Sequence, residues 1–257
     1  MPLTEVTDDG QIRVITMRYP ERRNALSHAM ADEISEGIET AGGRVLVLRA
    51  EPGSSTWSAG HDIDDLPTDG RDPLEWTSPV EHLVRAVRAA PFPVIAAVEG
   101  GAWGAACNLA FACDLIVATR AATFAITPAR LGVPYHTDGV AQFLGAVPLN
   151  VAKEMFFTAQ PLRADHPHLA GTVNRLADDP ESLETEWRAL AERIATLAPL
   201  SIRAIKAELN ALTDARPLES GTFERLTSLR RAAWMSEDFS EGLQAFRERR
   251  DPRFGGA

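Results

Sequence analysis

The first half of the sequence alternates short apolar runs with longer amphipathic stretches, and few folds accept that pattern. Four runs consist mostly of aliphatic residues, and they occupy residues 11–17, 44–48, 93–98 and 115–118. Strands that are buried on both faces of a parallel sheet have this composition, and parallel strands need long crossover connections. The first half is therefore predicted to form an α/β sheet whose parallel strands alternate with helices.

Helical spacing fills the intervals between these runs and dominates the end of the chain. Ser27 can cap a first helix that has Ile34 and Ile38 on its apolar face. From residue 183 onward, one amphipathic stretch follows another, and their apolar stripes need a partner surface. We therefore expect an α/β part with the functional site over residues 1–182, and a helical part for oligomerisation and closure of that site over residues 183–257.

Composition narrows the class of partner and the cellular compartment. The net charge of −10 argues against a nucleic-acid partner, because phosphate binding needs clustered Lys and Arg. No apolar run approaches the ~20 residues that span a bilayer, and the first ten residues do not resemble a secretory signal. Cys107 and Cys113 lie close together in a predicted helix. This arrangement suits reduced thiols, so we expect a cytoplasmic protein with no membrane partner.

Two glycine-rich turns are candidates for a functional site. Residues 58–63 read SAGHDI, and residues 98–108 read VEGGAWGAACN, with Gly104 and Ala105 at the predicted start of a helix. Amide NH groups in such turns point outward, and two of them can converge on one oxygen atom that carries developing negative charge. A glycine-rich turn also serves simply for tight packing. Each segment taken alone leaves both interpretations open.

The order of the two turns, together with other short motifs, resembles the enoyl-CoA hydratase/isomerase, or crotonase, superfamily. The further motifs are RNAL at residues 23–26, DLIVA at residues 114–118 and SEDFSEGLQAF at residues 236–246. The resemblance covers almost the whole chain. It implies a crotonase-like ββα spiral core with a helical C-terminal trimerisation region. It also implies a homo-oligomer, either a trimer or a dimer of trimers, and an acyl-CoA substrate handled without a metal or any other cofactor.

The same resemblance implies a set of site residues. The backbone NH groups of His61 and Ala105 would form an oxyanion hole for a CoA thioester, and residues 59–63 would line the path of the adenine and pantetheine groups. The residues that the resemblance marks as substrate-binding are Ala25, Ala59, Gly60, Asp62, Ile63, Gly104, Thr127 and Arg249. Arg249 also has a plain structural interpretation, since a cation at the end of the last helix suits the helix dipole.

Two positions depart from the hydratase pattern. Hydratases of the superfamily use two glutamates to activate and deliver water, and this sequence has Asn108 and Ala129 at those places. An amide and a methyl group do not exchange protons at neutral pH, so hydration is disfavoured. The sequence TPARLGVPY at residues 127–135, together with His61, instead resembles the methylmalonyl-CoA decarboxylase branch of the superfamily.

That branch implies decarboxylation of methylmalonyl-CoA, or of a close 2-carboxyacyl-CoA, through a thioester enolate. Tyr135 is expected to orient the departing carboxylate, and the His61 side chain to contact the substrate or to give the enolate a proton. Two alternatives stay open. One is another crotonase reaction, such as isomerisation or thioester hydrolysis, and the other is a catalytically silent acyl-CoA-binding protein.

Packing and solvation explain several of these residues equally well. A tyrosine that follows a proline, as Tyr135 does, suits a half-buried ring, and a histidine near a glycine turn, such as His61, suits an exposed loop. Residues 165–168, DHPH, superficially suggest metal ligands. They lack the further ligands of a zinc or iron site, so no metal is expected there.

Overall fold

The fold is known from a computed structural model that describes residues 2–66, 76–214 and 219–256. Within these ranges, ten strands form two sheets. The strands are β1 (Thr4–Asp9), β2 (Ile12–Met17), β3 (Val45–Ala50), β4 (Thr56–Ser58), β5 (Val94–Val98), β6 (Gly101–Trp103), β7 (Leu115–Thr119), β8 (Thr123–Ala125), β9 (Leu162–Arg163) and β10 (Arg175–Ala177). The larger sheet has the order β1-β2-β3-β5-β7-β10, and the smaller sheet has the order β4-β6-β8-β9.

Nine α-helices accompany these strands in the described part of the chain. They are α1 (His28–Glu39), α2 (Pro79–Ala89), α3 (Ala105–Ala112), α4 (Thr137–Ala146), α5 (Leu149–Thr158), α6 (Pro180–Ala195), α7 (Pro199–Asp214), α8 (Ser220–Trp234) and α9 (Glu237–Glu248). The predicted cap of α1 is present, because the Ser27 side chain accepts a hydrogen bond from the Met30 amide.

The chain passes repeatedly from the larger sheet to the smaller one. Strands β3, β5 and β7 lie parallel in the larger sheet, and each is followed directly by β4, β6 or β8 of the smaller sheet. The helices α2 and α3 then return the chain to the larger sheet. Each strand–strand–helix repeat thus adds one strand to each sheet, which confirms the α/β class and the predicted ββα spiral.

The larger sheet is buried on both faces, as the continuous apolar runs predicted. On β3, Leu46 and Leu48 pack into the main core with α1 and α2, whereas Val45 and Val47 face α6 on the other side. Neighbouring residues of a strand point to opposite faces, so one short run supplies both layers. All four predicted strands are found, within one or two residues, as β2, β3, β5 and β7.

The end of the chain is helical, as predicted, and its first helix belongs to the core. Helix α6 lays Trp187 against the larger sheet, and the expected boundary after residue 182 falls inside this helix. Helix α9 instead rests on a 3-10 helix, Pro128–Leu131, where a β-carbon added to Gly242 would overlap the Leu131 carbonyl. The division into two functional parts stays a prediction.

Apolar side chains on α7 and α8 are left exposed by the rest of this chain. Leu209 on α7 is 59% exposed and Leu229 on α8 is 61% exposed. The trimerisation role of this region stays a prediction. In the described residues, no helix is both long enough and apolar enough to cross a membrane. Cys107 and Cys113 are both buried and are not joined to each other, and their reduced state stays a prediction.

Candidate active site

The first glycine turn follows β4 and is tied to the segment 23–26. Ser58 is buried, and its hydroxyl donates to the Asn24 carbonyl at 2.6 Å while accepting from the Gly60 amide at 3.2 Å. The Ala59 amide donates to the Arg23 carbonyl at 3.0 Å. Within the described residues, only a 3-10 helix, Ile63–Asp65, follows this turn. The turn is therefore held by hydrogen bonds rather than by a helix start.

The amide of His61 points away from Leu26, the residue with which His61 forms a parallel bridge. Leu26 forms an isolated parallel bridge with His61, in which the Leu26 amide donates to the Gly60 carbonyl at 2.7 Å and the Asp62 amide donates to the Leu26 carbonyl at 3.2 Å. In such a bridge the amide of the middle residue points to the opposite side. Gly60 has a φ of +91°, a conformation that glycine adopts without strain.

The second glycine turn joins β6 to α3. Gly104 is the N-cap of α3 with a φ of +55°, and its amide donates to the Ala125 carbonyl at 2.8 Å. Ala105 is the first residue of the helix, as predicted, and the first amides of a helix have no partner within the helix. A β-carbon added to Gly104 would lie 3.1 Å from the Thr127 hydroxyl oxygen. Thr127 thus lies directly beside this turn.

The two turns meet at Gly60. A β-carbon on this residue would overlap the Trp103 carbonyl oxygen and would lie 3.1 Å from the Ala105 amide nitrogen. Among the described residues, neither the His61 amide nor the Ala105 amide donates a hydrogen bond to another residue. Two unpaired amides on adjoining turns, each behind a glycine with positive φ, are suited to bind one oxygen atom that carries negative charge.

The His61 side chain has a defined tautomer. Its Nδ1 lies 3.1 Å from the Asp62 carbonyl oxygen, and a carbonyl only accepts, so Nδ1 carries the proton. Burial lowers the pKa of His61 below its usual value, which favours the neutral ring. Its Nε2 is buried without a partner in the described part of the chain. In this state Nε2 is a hydrogen-bond acceptor and has no proton. The ring is therefore not suited to protonate the enolate, which was one of the two roles expected for it.

Tyr135 is packed among aromatic rings near the start of α3. Its ring stacks on His136 with centroids 5.2 Å apart, and it meets Phe156 edge to face at 5.2 Å. Burial raises the pKa of Tyr135 well above its usual value. The hydroxyl is therefore a donor at neutral pH. It makes no hydrogen bond to another described residue, so it is available to a ligand.

The two positions that depart from the hydratase pattern differ in their surroundings. Asn108 lies on the first turns of α3 and is only 1% exposed, and its Oδ1 has no hydrogen-bond partner among the described residues. Ala129 is exposed on the 3-10 helix below α9. Neither side chain carries an ionisable group, so neither can act as the acid or base that water addition needs.

The other predicted binding residues are buried in contacts with this chain or lie outside the two turns. Asp62 is buried, and its carboxylate accepts from Arg22 at 3.0 Å and from the Asp64 amide at 3.1 Å. Ile63 packs towards the C-terminal helices. Ala25 is buried between two residues that hold the first turn. Arg249 ends α9 and is exposed, and no described contact brings it to the two turns.

Sequence reasoning missed three polar residues that the fold places in or near this site. Asn24 has a φ of +51°, and its side chain accepts from the Tyr19 amide at 2.7 Å and donates to the Trp57 carbonyl at 3.1 Å. Asparagine tolerates this conformation better than most residues, which was an available signal. Glu81 and His136 form a buried contact, and the only hint of it was an acidic residue beside the apolar stripe of α2.

Known proteins are similar to this chain in sequence and in fold over almost its full length. A sequence profile of the enoyl-CoA hydratase/isomerase family matches residues 7–257. The methylmalonyl-CoA decarboxylase of Escherichia coli (strain K12) is 38% identical over 250 residues, covering 96% of this chain and 95% of that protein. The mitochondrial enoyl-CoA hydratase domain-containing protein 3 of Homo sapiens is 34% identical over 251 residues, covering 95% and 80% of the two chains.

Solved structures give the same result. A structure of methylmalonyl-CoA decarboxylase in complex with 2-nitronate-propionyl-CoA superimposes with a TM-score of 0.96 at 37% identity, covering 99% of both chains. An enoyl-CoA hydratase from Mycobacterium avium subsp. paratuberculosis K-10 superimposes with a TM-score of 0.81 at 25% identity, covering 98% of each chain. The chain therefore belongs to the enoyl-CoA hydratase/isomerase, or crotonase, superfamily.

Proposed function

We propose that this protein decarboxylates methylmalonyl-CoA, or a close 2-carboxyacyl-CoA, to the corresponding acyl-CoA. The observation that carries the proposal is the pair of unpaired amides at His61 and Ala105, held on adjoining turns by the contact of Gly60 with Trp103. In the proposed complex both amides donate to the thioester oxygen of the substrate. Removal of one such donor typically costs about 2.7–4 kcal/mol of transition-state stabilisation.

The chemistry needs little more than this charge stabilisation. The bond between C2 and the carboxylate breaks, CO₂ leaves, and the electron pair moves through C2 to the thioester oxygen to give an enolate. A proton from solvent then adds to C2, so that substrate and one proton give acyl-CoA and CO₂. The proposed reaction includes no metal or organic cofactor, because the thioester itself accepts the electrons.

Tyr135 supplies the second element of the proposed mechanism. Decarboxylation requires the breaking C–C bond to stand perpendicular to the thioester plane, and a donor to the carboxylate can fix that geometry. The Tyr135 hydroxyl remains protonated, and no hydrogen bond joins it to another described residue. Thr127, beside the second turn, is the other hydroxyl that we place in the substrate pocket.

Residues 108 and 129 favour decarboxylation over hydration. Asn108 and Ala129 offer no group that could deprotonate water, whereas an enolate-forming decarboxylation needs none. The relatives support the same choice, because the Escherichia coli protein at 38% identity is named for decarboxylation and the human protein at 34% for hydration. Acyl-CoA as the substrate class follows from both kinds of relative.

A panel of thioesters tests the proposal. Purified protein is incubated with methylmalonyl-CoA, malonyl-CoA, ethylmalonyl-CoA and crotonyl-CoA, and the products are followed by mass. Loss of CO₂ from a 2-carboxyacyl-CoA is expected, and water addition to crotonyl-CoA is not. Isomerisation, thioester hydrolysis, or binding without any turnover would each contradict the proposal and select the corresponding alternative. Activity should survive dialysis against a metal chelator.

We also propose that the protein acts as a homo-oligomer, a trimer or a dimer of trimers. The exposed apolar stripes of α7 and α8 support this, since Leu212 is 76% exposed and Phe223 is 47% exposed in the single chain. Exposed apolar surface of this kind marks contact sites between proteins. Light scattering on the purified protein is expected to give three or six times the mass of one chain. A monomer at micromolar concentration would contradict this assignment.

A further inference from the structure

A buried ionisable pair lies beside Tyr135 and has no part in the chemistry described above. Glu81 on α2 and His136 before α4 are 6% and 5% exposed, and Oε1 of Glu81 lies 3.1 Å from Nε2 of His136. Helices α2 and α4 both pack against α3, the helix that starts at the second turn. The contact of Glu81 with His136 therefore lies next to α3. Such pairs add little stability compared with apolar residues of similar size. Stability alone therefore does not explain why Glu81 and His136 are buried together, whereas a role in the candidate site would.

The cap of α4 determines which nitrogen of His136 carries the proton. The Gly139 amide donates to Nδ1 of His136 at 3.2 Å, so Nδ1 is an acceptor and has no proton. The proton of the neutral ring is therefore on Nε2, where it faces the Glu81 carboxylate. The contact is electrostatically favourable, although its angle is too far from linear for a good hydrogen bond. Neither nitrogen is left free to act as a base on a ligand.

The ring of His136 forms the surface on which Tyr135 lies. The two rings are stacked at 29° with centroids 5.2 Å apart, and a β-carbon added to Gly139 would overlap atoms of both rings. Phe143 and Phe156 contact Tyr135 edge to face at 6.2 Å and 5.2 Å. Because the Tyr135 hydroxyl makes no hydrogen bond to another described residue, the packing of the ring alone determines where the hydroxyl points.

We propose that Glu81 and His136 are positioning residues that hold Tyr135 in the orientation needed to direct the substrate carboxylate. This inference rests on the proposed function, because it takes the role of Tyr135 from there. His136 contributes the stacking face, and Glu81 keeps the protonated Nε2 side of the imidazole turned towards α2. Neither residue touches the substrate, so both act on the rate through Tyr135.

His136→Asn is the informative variant, because asparagine is a good N-cap and keeps the acceptor for Gly139 while removing the stacking face. We expect kcat with methylmalonyl-CoA to fall about ten- to hundredfold, the range that a misplacement near 1 Å can cause. KM is expected to stay unchanged, since the two glycine turns are untouched. His166→Asn is the matched control: Nδ1 of His166 accepts from the His168 amide at 3.2 Å in the same way, at a 3-10 helix outside the site, and kcat should not change.

A double-substitution cycle separates positioning from general damage. If His136 acts through the tyrosine, His136→Asn added to Tyr135→Phe slows the enzyme no further than Tyr135→Phe alone. Multiplying losses in the double variant would overturn the proposal. Glu81→Gln, whose amide oxygen can still face the protonated Nε2, should keep most of the activity that Glu81→Leu loses. Equal losses in these two variants would contradict the role given to Glu81.

Nitrogen-15 NMR tests the pair independently of any turnover. The expected result is an unprotonated Nδ1 and a protonated Nε2 on His136, with Tyr135 ring resonances that shift in His136→Asn but not in His166→Asn. A protonated Nδ1, or Tyr135 resonances indifferent to His136, would overturn the inference. If no thioester loses CO₂ but these signals are as expected, the proposed function fails while the positioning of Tyr135 stands.

Discussion

Gly60 lies so close to Trp103 that no other residue fits there, because a β-carbon on Gly60 would overlap the Trp103 carbonyl oxygen. Gly60→Ala should therefore separate the two turns and lower kcat/KM for methylmalonyl-CoA by at least about a hundredfold, as the loss of one oxyanion donor does. Steady-state assays of CO₂ release measure this effect directly.

Gly53→Ala is the control for backbone strain alone. Gly53 also has a positive φ, +81°, but a β-carbon there meets nothing within 4 Å. Both variants should lose about 1–2 kcal/mol of stability from the left-handed conformation, and only Gly60→Ala should lose activity. A fully active Gly60→Ala would show that the contact between the turns does not set the geometry of the amides.

Tyr135→Phe should lower kcat/KM by about ten- to a hundredfold, because a hydrogen bond to a charged group contributes about 1.5–3 kcal/mol. The hydroxyl makes no hydrogen bond to another described residue, so its removal should leave the thermal midpoint of unfolding within a few degrees of the parent value. Wild-type kcat/KM in this variant would show that the hydroxyl does not orient the carboxylate.

The elements that could be predicted are those whose own sequence shows a clear hydrophobic pattern. The buried strands β2, β3, β5 and β7 appear as apolar runs because both of their faces are covered. Strands of the smaller sheet were missed, since β4, β6 and β8 have three residues each and show no pattern. β1 was missed because its sequence, TEVTDD, is polar and largely exposed.

In the candidate site, too, features set by the local sequence could be predicted, whereas contacts between distant segments could not. The glycine turns at Gly60 and Gly104 could be predicted because a positive φ and a close backbone approach both demand glycine. The contact of Glu81 with His136 could not, because it joins two helices that are distant in the sequence, and only their packing around α3 brings them together. Asn24 lay within a recognised motif, but its two hydrogen bonds depend on the path of β4.

Asn108→Leu should stabilise the protein. The Oδ1 atom of Asn108 is buried without a partner among the described residues, and an unsatisfied buried acceptor costs about 1–3 kcal/mol. Leucine has a similar size and no polar atom, so the denaturant midpoint should rise with no change in slope.

Asn24→Leu is the matched control for that substitution and should have the opposite sign. The Asn24 amide uses both its oxygen and its nitrogen in hydrogen bonds, and its backbone has a positive φ. Leucine would lose both hydrogen bonds and strain the backbone. If Asn108→Leu destabilised the protein as much as Asn24→Leu, the Asn108 amide would have to hold an ordered water.

Lys206→Met should destabilise the protein by about 1.5–3 kcal/mol at neutral pH, because it removes the charged hydrogen bonds that the buried ammonium donates, one of them to the Asp114 carboxylate, which is 25% exposed. The Lys206 ammonium is 2.7 Å from Asp114 Oδ2 and donates to the carbonyls of Val87 and Phe92 at 3.1 Å and 3.0 Å. Lys153→Met, at the chain's other lysine, changes an exposed residue of α5 and should have no effect.

The loss in Lys206→Met should shrink as the pH falls. Burial raises the pKa of Asp114 above its usual value, although Lys206 opposes the rise. A carboxyl whose pKa is raised by folding favours the folded state most when it is protonated, and this contribution is lost as the pH rises through the folded pKa. Without Lys206 the pKa of Asp114 rises further, so protonation removes the unpaired charge at a higher pH than in the parent. Urea unfolding of both proteins at about pH 7 and about pH 5 measures the difference, and a penalty that is equal at the two values would mean that Asp114 is not the group left unpaired.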